Sequence, residues 1–370
     1  MRLGSSTKIW IVPILMLAGC TTSPSPGRSH NLAPDELAPS QTAVMAAPDP
    51  TGISTPTASP DFDLASLPEG IWTEISNMPF PVSEISGALL DGKFYVAGGL
   101  LEGVITTDLL QIYDVETNQW ALGAEMPRGR NHHVTAALDG QVYFLEGTES
   151  LMPPPYTRYR TGYIYSVADN TWSRTAPAPA NRVAASAVVL DDSIYVVGGM
   201  LFDPSAEGEP AARSAQRYTP AQDAWDQLAT VPKELEHSVA TTLNGAIYLT
   251  GGREPQPSAG VYRYDPLEDA WTEVTPMNEP RSAHVALVLH GKIYACGGER
   301  FLPETGAEAI KSCEIYDPTS DSWSYGPELP MGIHGLTGFV FRDTLYLVGG
   351  SDTPNDVDNY GRVLIWRPEH

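Results

Sequence analysis

Six of the eight tryptophans constrain this chain more than any other feature. Trp72, Trp120, Trp172, Trp225, Trp271 and Trp323 are separated by 48, 52, 53, 46 and 52 residues. A glycine pair recurs with its first position at Gly98, Gly198, Gly251, Gly297 and Gly349, and a sixth copy has Glu146 in that place. These positions follow the same five intervals, so each tryptophan lies 26 residues before the next one of them. A tyrosine stands seven residues before five of the tryptophans: Tyr113, Tyr165, Tyr218, Tyr264 and Tyr316. All variation in length therefore falls between a glycine pair and the tyrosine that follows it. A fixed period near fifty residues means equal units stacked against one another, none of which can bury its apolar surface alone.

Each unit reads as four short strands. The first two flank a two-residue turn, as at Asp91-Gly92, Asp139-Gly140 and Asn244-Gly245, where both positions favour positive φ. The second strand runs into the glycine pair, as in Tyr95-Val96-Ala97-Gly98-Gly99; the third carries the tyrosine and the fourth the tryptophan. Four-stranded units repeated radially make an all-β, six-bladed β-propeller. In the last unit Trp366-Arg367-Pro368 takes the place of Tyr316-Asp317-Pro318, and no tryptophan follows it. The unpaired fourth strand is at the other end, Ile71-Trp72-Thr73-Glu74-Ile75. The expectation is that this N-terminal strand completes the sixth blade and removes the open edges.

These motifs resemble the kelch repeat, a glycine pair followed by Tyr and Trp at fixed spacing, over roughly residues 70–367. The departures are Glu146 and the missing tryptophan of the last unit. A WD40 propeller has a shorter period, about 40–45 residues, and a Trp-Asp signature that these strand ends lack.

The ends differ from the middle. Arg2 and Lys8 precede an apolar stretch from Ile9 to Leu17, far short of the roughly 20 residues that span a bilayer. It leads into Leu17-Ala18-Gly19-Cys20, which resembles the lipobox of bacterial lipoproteins. That resemblance implies cleavage before Cys20, acylation of Cys20 and attachment to a membrane through the lipid. Thr21 and Thr22, rather than Asp, follow; in a host with two membranes the family pattern implies the outer one. Residues 1–19 are thus expected to be a signal peptide. Residues 20–68, rich in Pro, Ser, Thr and Ala, form an unfolded tether, and residues 69–370 form the propeller. Three cysteines are too few for a disulfide scaffold. Cys296 and Cys313 occupy positions held by small or apolar residues in other units, and are expected as two packed thiols, with a cross-strand disulfide as the alternative after export.

With 22 Lys+Arg against 45 Asp+Glu, the net charge is −23, and no basic run offsets it. Such a surface repels phosphate backbones, so nucleic acid is excluded as a partner. Counting back 13 to 16 positions from each glycine pair collects the residues entering the innermost strands. They are Glu84; Arg130, His132 and His133; Arg182; Glu236 and His237; Arg281 and His284; and His334. Two readings stay open. The groups converge on one channel mouth and bind an anionic or polyhydroxylated ligand, or they are part of the repeat and bond carbonyls from blade to blade. The Pro-rich segment 148–160, with Tyr156, Arg158, Tyr159 and Arg160, reads as a solvated loop, with a carbohydrate or peptide contact as the alternative. Asp352, Asp356 and Asp358 have no calcium-loop spacing and read as surface. No cofactor and no metal ligand set is expected.

Two kelch enzyme families offer templates. Galactose-oxidase-like enzymes bind copper through a consecutive Tyr-His pair and a Tyr–Cys crosslink, but no Tyr here is followed by His, so copper-radical oxidation is disfavoured. Sialic-acid epimerases are similar in being exported six-bladed kelch propellers with Arg and acidic groups in the channel. The first expectation is a surface-tethered binding module for an extracytoplasmic glycan or protein. The alternative is a sugar-acid epimerase, mutarotase or lyase using Glu84 or Glu236 with His and Arg partners. The cytosolic ubiquitin-adaptor role of many kelch proteins is disfavoured by the export signal.

Overall fold

A computed structural model describes residues 62–149, 159–180, 182–200, 213–302, 306–353 and 359–369. Cys20 and the expected signal peptide lie outside the described residues, as do most of the tether, Tyr156, Arg158, Asp356 and Asp358.

The propeller is built as the repeat requires. Six four-stranded antiparallel sheets each run from an inner strand to an outer one. The inner strands are Gly87–Leu90, Val134–Leu138, Val183–Leu190, Val239–Leu243, Val285–Leu289 and Thr337–Phe341. Second strands such as Ala246–Thr250 and Thr344–Val348 are buried at every residue, because both of their faces pack on a neighbouring blade. Outer strands alternate between exposed and half-buried, as in Ala270–Val274. They cover one face of the blade and meet water on the other.

The constant Tyr–Trp spacing has a physical origin. Tyrosine and tryptophan are Cα partners across one antiparallel pair, as at Tyr113↔Trp120 and Tyr316↔Trp323. Their ring centroids are 4.9–5.1 Å apart in all five blades. The tyrosine hydroxyl donates to Asn118, Asn170, Asp223, Asp269 or Asp321 in the connecting turn, at 2.6–2.7 Å. Each of these turn residues takes a left-handed φ, which Asn and Asp tolerate better than other side chains. Four indole N–H groups then reach the preceding blade: Trp172 to Ala124 O, Trp225 to Ala176 O, Trp271 to Ala229 O and Trp323 to Thr275 O. The segment from Tyr to Trp cannot change length without losing these bonds.

Closure follows the same rule. The strand Thr73–Asn77 pairs with Arg362–Trp366, so the first strand of the ring is the outermost of the sixth blade. Trp72 donates its indole N–H to Pro327 O of the fifth blade at 3.2 Å, the same bond that Trp172, Trp225, Trp271 and Trp323 make at their joints. Trp366, in the tyrosine's place, meets Trp72 at 6.4 Å.

One expectation is corrected. Cys296 and Cys313 are Cα partners in the fifth blade and are joined by a disulfide rather than packed as thiols. Their Cα atoms are 4.0 Å apart, close enough for the two side chains to meet across the strands.

Candidate functional site

At the entrance to each inner strand, one residue per blade adopts a left-handed conformation: Glu84, His132, Ala184, His237, Ala283 and Gly335, with φ between 50° and 61°. Their intervals are the tryptophan intervals again. Each N–H donates to the carbonyl of the equivalent residue one blade back, and Glu84 N donates to Gly335 O at 3.1 Å. The six bonds, 2.9–3.2 Å long, close into a backbone ring around the channel. Five of the six are not glycine, and a left-handed non-glycine residue costs about 1–3 kcal/mol. The closed ring over-determines the conformation.

The left-handed turn decides where side chains go. At the ring positions they face the axis, so Glu84, His132 and His237, from three different blades, place their ligating atoms within 4.8 Å of one another. Glu84 Oε2 is 3.3 Å from His132 Nε2 and 3.6 Å from His237 Nε2. The imidazoles meet edge to face, 5.2 Å apart. Ala184, Ala283 and Gly335 leave the rest of the ring open, and Glu84 leans over Gly335, where an added Cβ would lie 2.9 Å from Glu84 Oε1. The channel behind the ring holds about 260 Å³ and is lined further in by Ser86, Thr135, Ser186 and Thr337.

Outside the ring a chain of charges continues. The residue before each histidine is its outer partner: Asn131 Oδ1 lies 2.7 Å from His132 Nδ1, and Glu236 Oε2 lies 2.8 Å from His237 Nδ1. Arg253 donates from Nε to Glu236 Oε1 at 2.5 Å and pairs through Nη1 with Glu299. Arg253 and Glu299 each directly follow a glycine pair, and both bridge to the residues that lead into the inner strands. The variable segments thus sit beside the mouth.

Electrostatics separates the two imidazoles. Burial lowers the pKa of His132 to about 4, with Glu84 only partly opposing it. Burial also acts against the charge on His237, but Glu236 and Glu84 outweigh it and raise this group to about 9. Glu236, which burial alone would raise, is held down at about 2 by His237 and Arg253. Glu84, also opposed by burial, lies well below the usual carboxylate range because of the imidazoles around it. The pH dependence follows from the sign of the His237 shift. Its contribution to stability is complete below the unfolded value of about 6.5 and is lost as pH rises through about 9. Urea unfolding at pH 6, 7.5 and 9 should show wild type losing stability over this window, and His237→Gln losing less. Parallel curves would contradict the assignment.

The other residues gathered from sequence have different surroundings. Arg130, Arg182 and Arg281 are at most 1% exposed. Arg130 donates to Glu146 O and Thr161 O; Arg182 to Val196 O, Gly198 O and Ser214 O. Arg281 donates to Gly297 O, Ser312 O and Glu314 Oε1. Each guanidinium ties the entry segment of its blade to the second and third strands of that same blade, and burial lowers the pKa of all three. His133 and His284 are 3% exposed; burial takes His133 down to about 3 and His284 well below its ordinary value. His284 Nε2 lies 2.9 Å from Thr250 Oγ1 of the neighbouring blade. His334 is also buried, with Nδ1 2.9 Å from Ser351 O. Glu146, in the glycine's place, is buried with Oε1 3.4 Å from Arg182 Nε, and burial raises it to about 7 against the pull of Arg182 and Arg130. Tyr159, from the Pro-rich loop, covers the Arg130 guanidinium at 4.9 Å. Asp352 accepts from the Tyr360 hydroxyl at 2.6 Å.

Sequence reasoning did not find Ala184, Ala283 and Gly335, which carry no polar group but keep the ring intervals. It also did not find Asn131, Arg253 and Glu299. For Arg253 and Glu299 the available signal was a charged residue directly after the glycine pair in two successive units.

Comparison with known proteins agrees with the geometry. The kelch motif is matched at residues 81–127, 181–232, 237–278 and 280–330, together just over half of the chain. Kelch-like protein terF of Aspergillus terreus is 25% identical over 296 residues, covering 76% of this chain and 64% of that protein. Kelch-like protein 38 of Homo sapiens is 30% identical over 156 residues, 42% of this chain and 24% of its own length. Beta-scruin of Limulus polyphemus is 28% identical over 191 residues, 49% and 20% respectively. The chain thus spans less than two thirds of each of these relatives. A solved structure of YjhT superposes with a TM-score of 0.68 at 15% identity, over 78% of this chain and 95% of that one, a likeness of fold. With the matched motifs, the six blades and the closing strand together, the chain belongs to the kelch family, whose propeller is a protein-interaction type of module.

Proposed function

We propose that this chain is an exported, lipid-tethered kelch module that binds a neutral, hydroxyl-rich ligand, a glycan, at the channel mouth. The observation that carries the reading is the division of charged groups at the ring. Glu84, His132 and His237 offer acceptors and donors toward the axis, beside three small residues that leave room. The arginines that would attract an anion are buried and bonded to carbonyls of their own blades, and Arg253 lies between Glu236 and Glu299. A neutral polyol suits such a mouth better than a sugar acid, since its hydroxyls pair with carboxylate and imidazole without a net charge to offset. The lipobox-like segment supports export and anchoring, and the Cys296–Cys313 disulfide is of the kind that persists in oxidising compartments.

The test is glycan-array screening of the full-length protein in chelator, followed by calorimetry with the best neutral ligand. Saturable binding should weaken at least tenfold in Glu84→Gln and in His237→Gln, each confirmed as folded by circular dichroism at the assay temperature. No saturable binding, or equal affinity in both variants, would contradict the reading.

A second reading has one specific support: two imidazoles held near 4 and near 9 on either side of one carboxylate. Groups pushed apart in this way suit acid–base work, here mutarotation or epimerisation of a bound sugar. Anomers of neutral and acidic sugars followed by NMR distinguish the two. Acceleration lost in Glu84→Gln supports the enzyme, and none at any concentration removes it. Arg281 is unsuitable as a probe of either reading, because its removal would disturb the fold.

A further inference from the structure

We propose that Glu84, His132 and His237 form a binding site for a divalent transition-metal cation, with zinc its best-matched occupant. The three come from blades one, two and four, so no local ligand spacing announces them in the sequence. The ring brings together one carboxylate oxygen and two imidazole nitrogens, a donor set suited to zinc.

The separations fit a metal between the three groups. Ligand atoms placed tetrahedrally around zinc at about 2.0–2.1 Å are about 3.3 Å from one another. Glu84 Oε2 lies 3.3 Å from His132 Nε2 and 3.6 Å from His237 Nε2. Both separations exceed the roughly 2.7–2.9 Å of a charge-assisted hydrogen bond. They leave space for a cation between the carboxylate oxygen and the two imidazole nitrogens, which all lie within 4.8 Å of one another.

The outer partners orient the imidazoles for this task. Asn131 donates its Nδ2 to Thr106 Oγ1 at 2.6 Å, which turns its Oδ1 toward His132 Nδ1. An acceptor there makes Nδ1 the protonated nitrogen and leaves Nε2 with a lone pair facing Glu84. Glu236 orients His237 in the same way, accepting at Oε2 from Nδ1 while Arg253 holds its other oxygen, and a cation bound there takes the place of the proton on Nε2. A carboxylate or amide oxygen behind each metal-binding imidazole is the usual outer-shell arrangement, fixing the tautomer and strengthening the ligand. Three protein ligands at the mouth of an open channel leave a fourth coordination position for water or a ligand hydroxyl.

This inference goes beyond the glycan reading and does not depend on it. Glycan binding is measured in chelator, so either result can fail without the other. For the metal, the full-length protein is stripped with EDTA, dialysed and titrated with Zn²⁺ alone by calorimetry. X-ray absorption at the zinc edge then records the ligands. The expected result is one zinc per chain with two imidazoles in its first shell. Affinity should fall at least tenfold in His132→Ala and in His237→Ala, and about tenfold in Glu236→Gln, which removes no ligand. His290→Ala, at an exposed histidine outside the ring, should bind as wild type does. Near-ultraviolet circular dichroism confirms that each variant is folded, and His132→Gln or His237→Gln replaces any alanine variant that is not. Absence of stoichiometric uptake would overturn the proposal, as would unchanged uptake by a folded variant lacking both histidines.

Discussion

Deleting residues 69–76 is expected to abolish cooperative unfolding of the whole propeller, not merely fray one end. The deletion removes most of the strand that pairs with Arg362–Trp366. It also takes Trp72, its bond to Pro327 O and its ring contact with Trp366. The Arg362–Trp366 strand would become the edge of a three-stranded blade, with the N–H and C=O groups that Thr73–Asn77 now pairs left open. Since each blade packs only on its two neighbours, opening one joint exposes both partners of that joint. The loss should be comparable with the stability of a typical domain, roughly 5–15 kcal/mol. Trp72→Ala is the graded version: it leaves the strand and should cost about 3 kcal/mol. A deletion of equal length within residues 30–55 is the control and should leave the melting temperature unchanged. If the 69–76 deletion melts like wild type, the ring is not closed by this strand.

Arg281→Ala is the second large effect, and it should appear in stability. Arg281 and Glu314 both have fully buried side chains 2.9 Å apart. Glu314 in turn accepts from the Asn278 and Glu279 backbone N–H groups and from Asn278 Nδ2. Truncating the arginine leaves a buried carboxylate without its counter-ion and frees the Gly297 and Ser312 carbonyls. Breaking one side of such a pair costs about 3–5 kcal/mol. Arg281→Met with Glu314→Gln removes both charges together and should recover part of the loss. Chemical denaturation of the three proteins measures it, and an Arg281→Ala variant as stable as wild type would contradict the structural role.

The contrast between blade joints and channel mouth shows what the sequence made legible. Tyr113 to Trp120 and its four counterparts could be read directly, because the bonds that fix their spacing lie within one hairpin and repeat at constant length. The closing strand was legible for the same reason, since Trp72 keeps the interval. The mouth was only partly legible. Arg130, His132 and His133 lie within four residues of one another, yet one bonds carbonyls of its own blade, one faces the axis and one is buried. What separates them is a left-handed φ at a single position, and neither His132 nor Ala184 announces one as glycine would. Arg253 and Glu299 were harder still, because they begin the variable segments where the repeat stops constraining identity.

His132 and His133 test this one-residue sorting directly. Both imidazoles are held neutral at pH 7, at about 4 and about 3, so protonation does not distinguish them. The His132 side chain is 10% exposed at the mouth and His133 is 3% exposed. Carbethoxylation of the native protein at pH 7, mapped by mass spectrometry, should label His132 while His133 and His284 react only after unfolding. Labelling of His133 as fast as His132, or a His132 as inert as His133, would contradict the assignment of the ring to the channel.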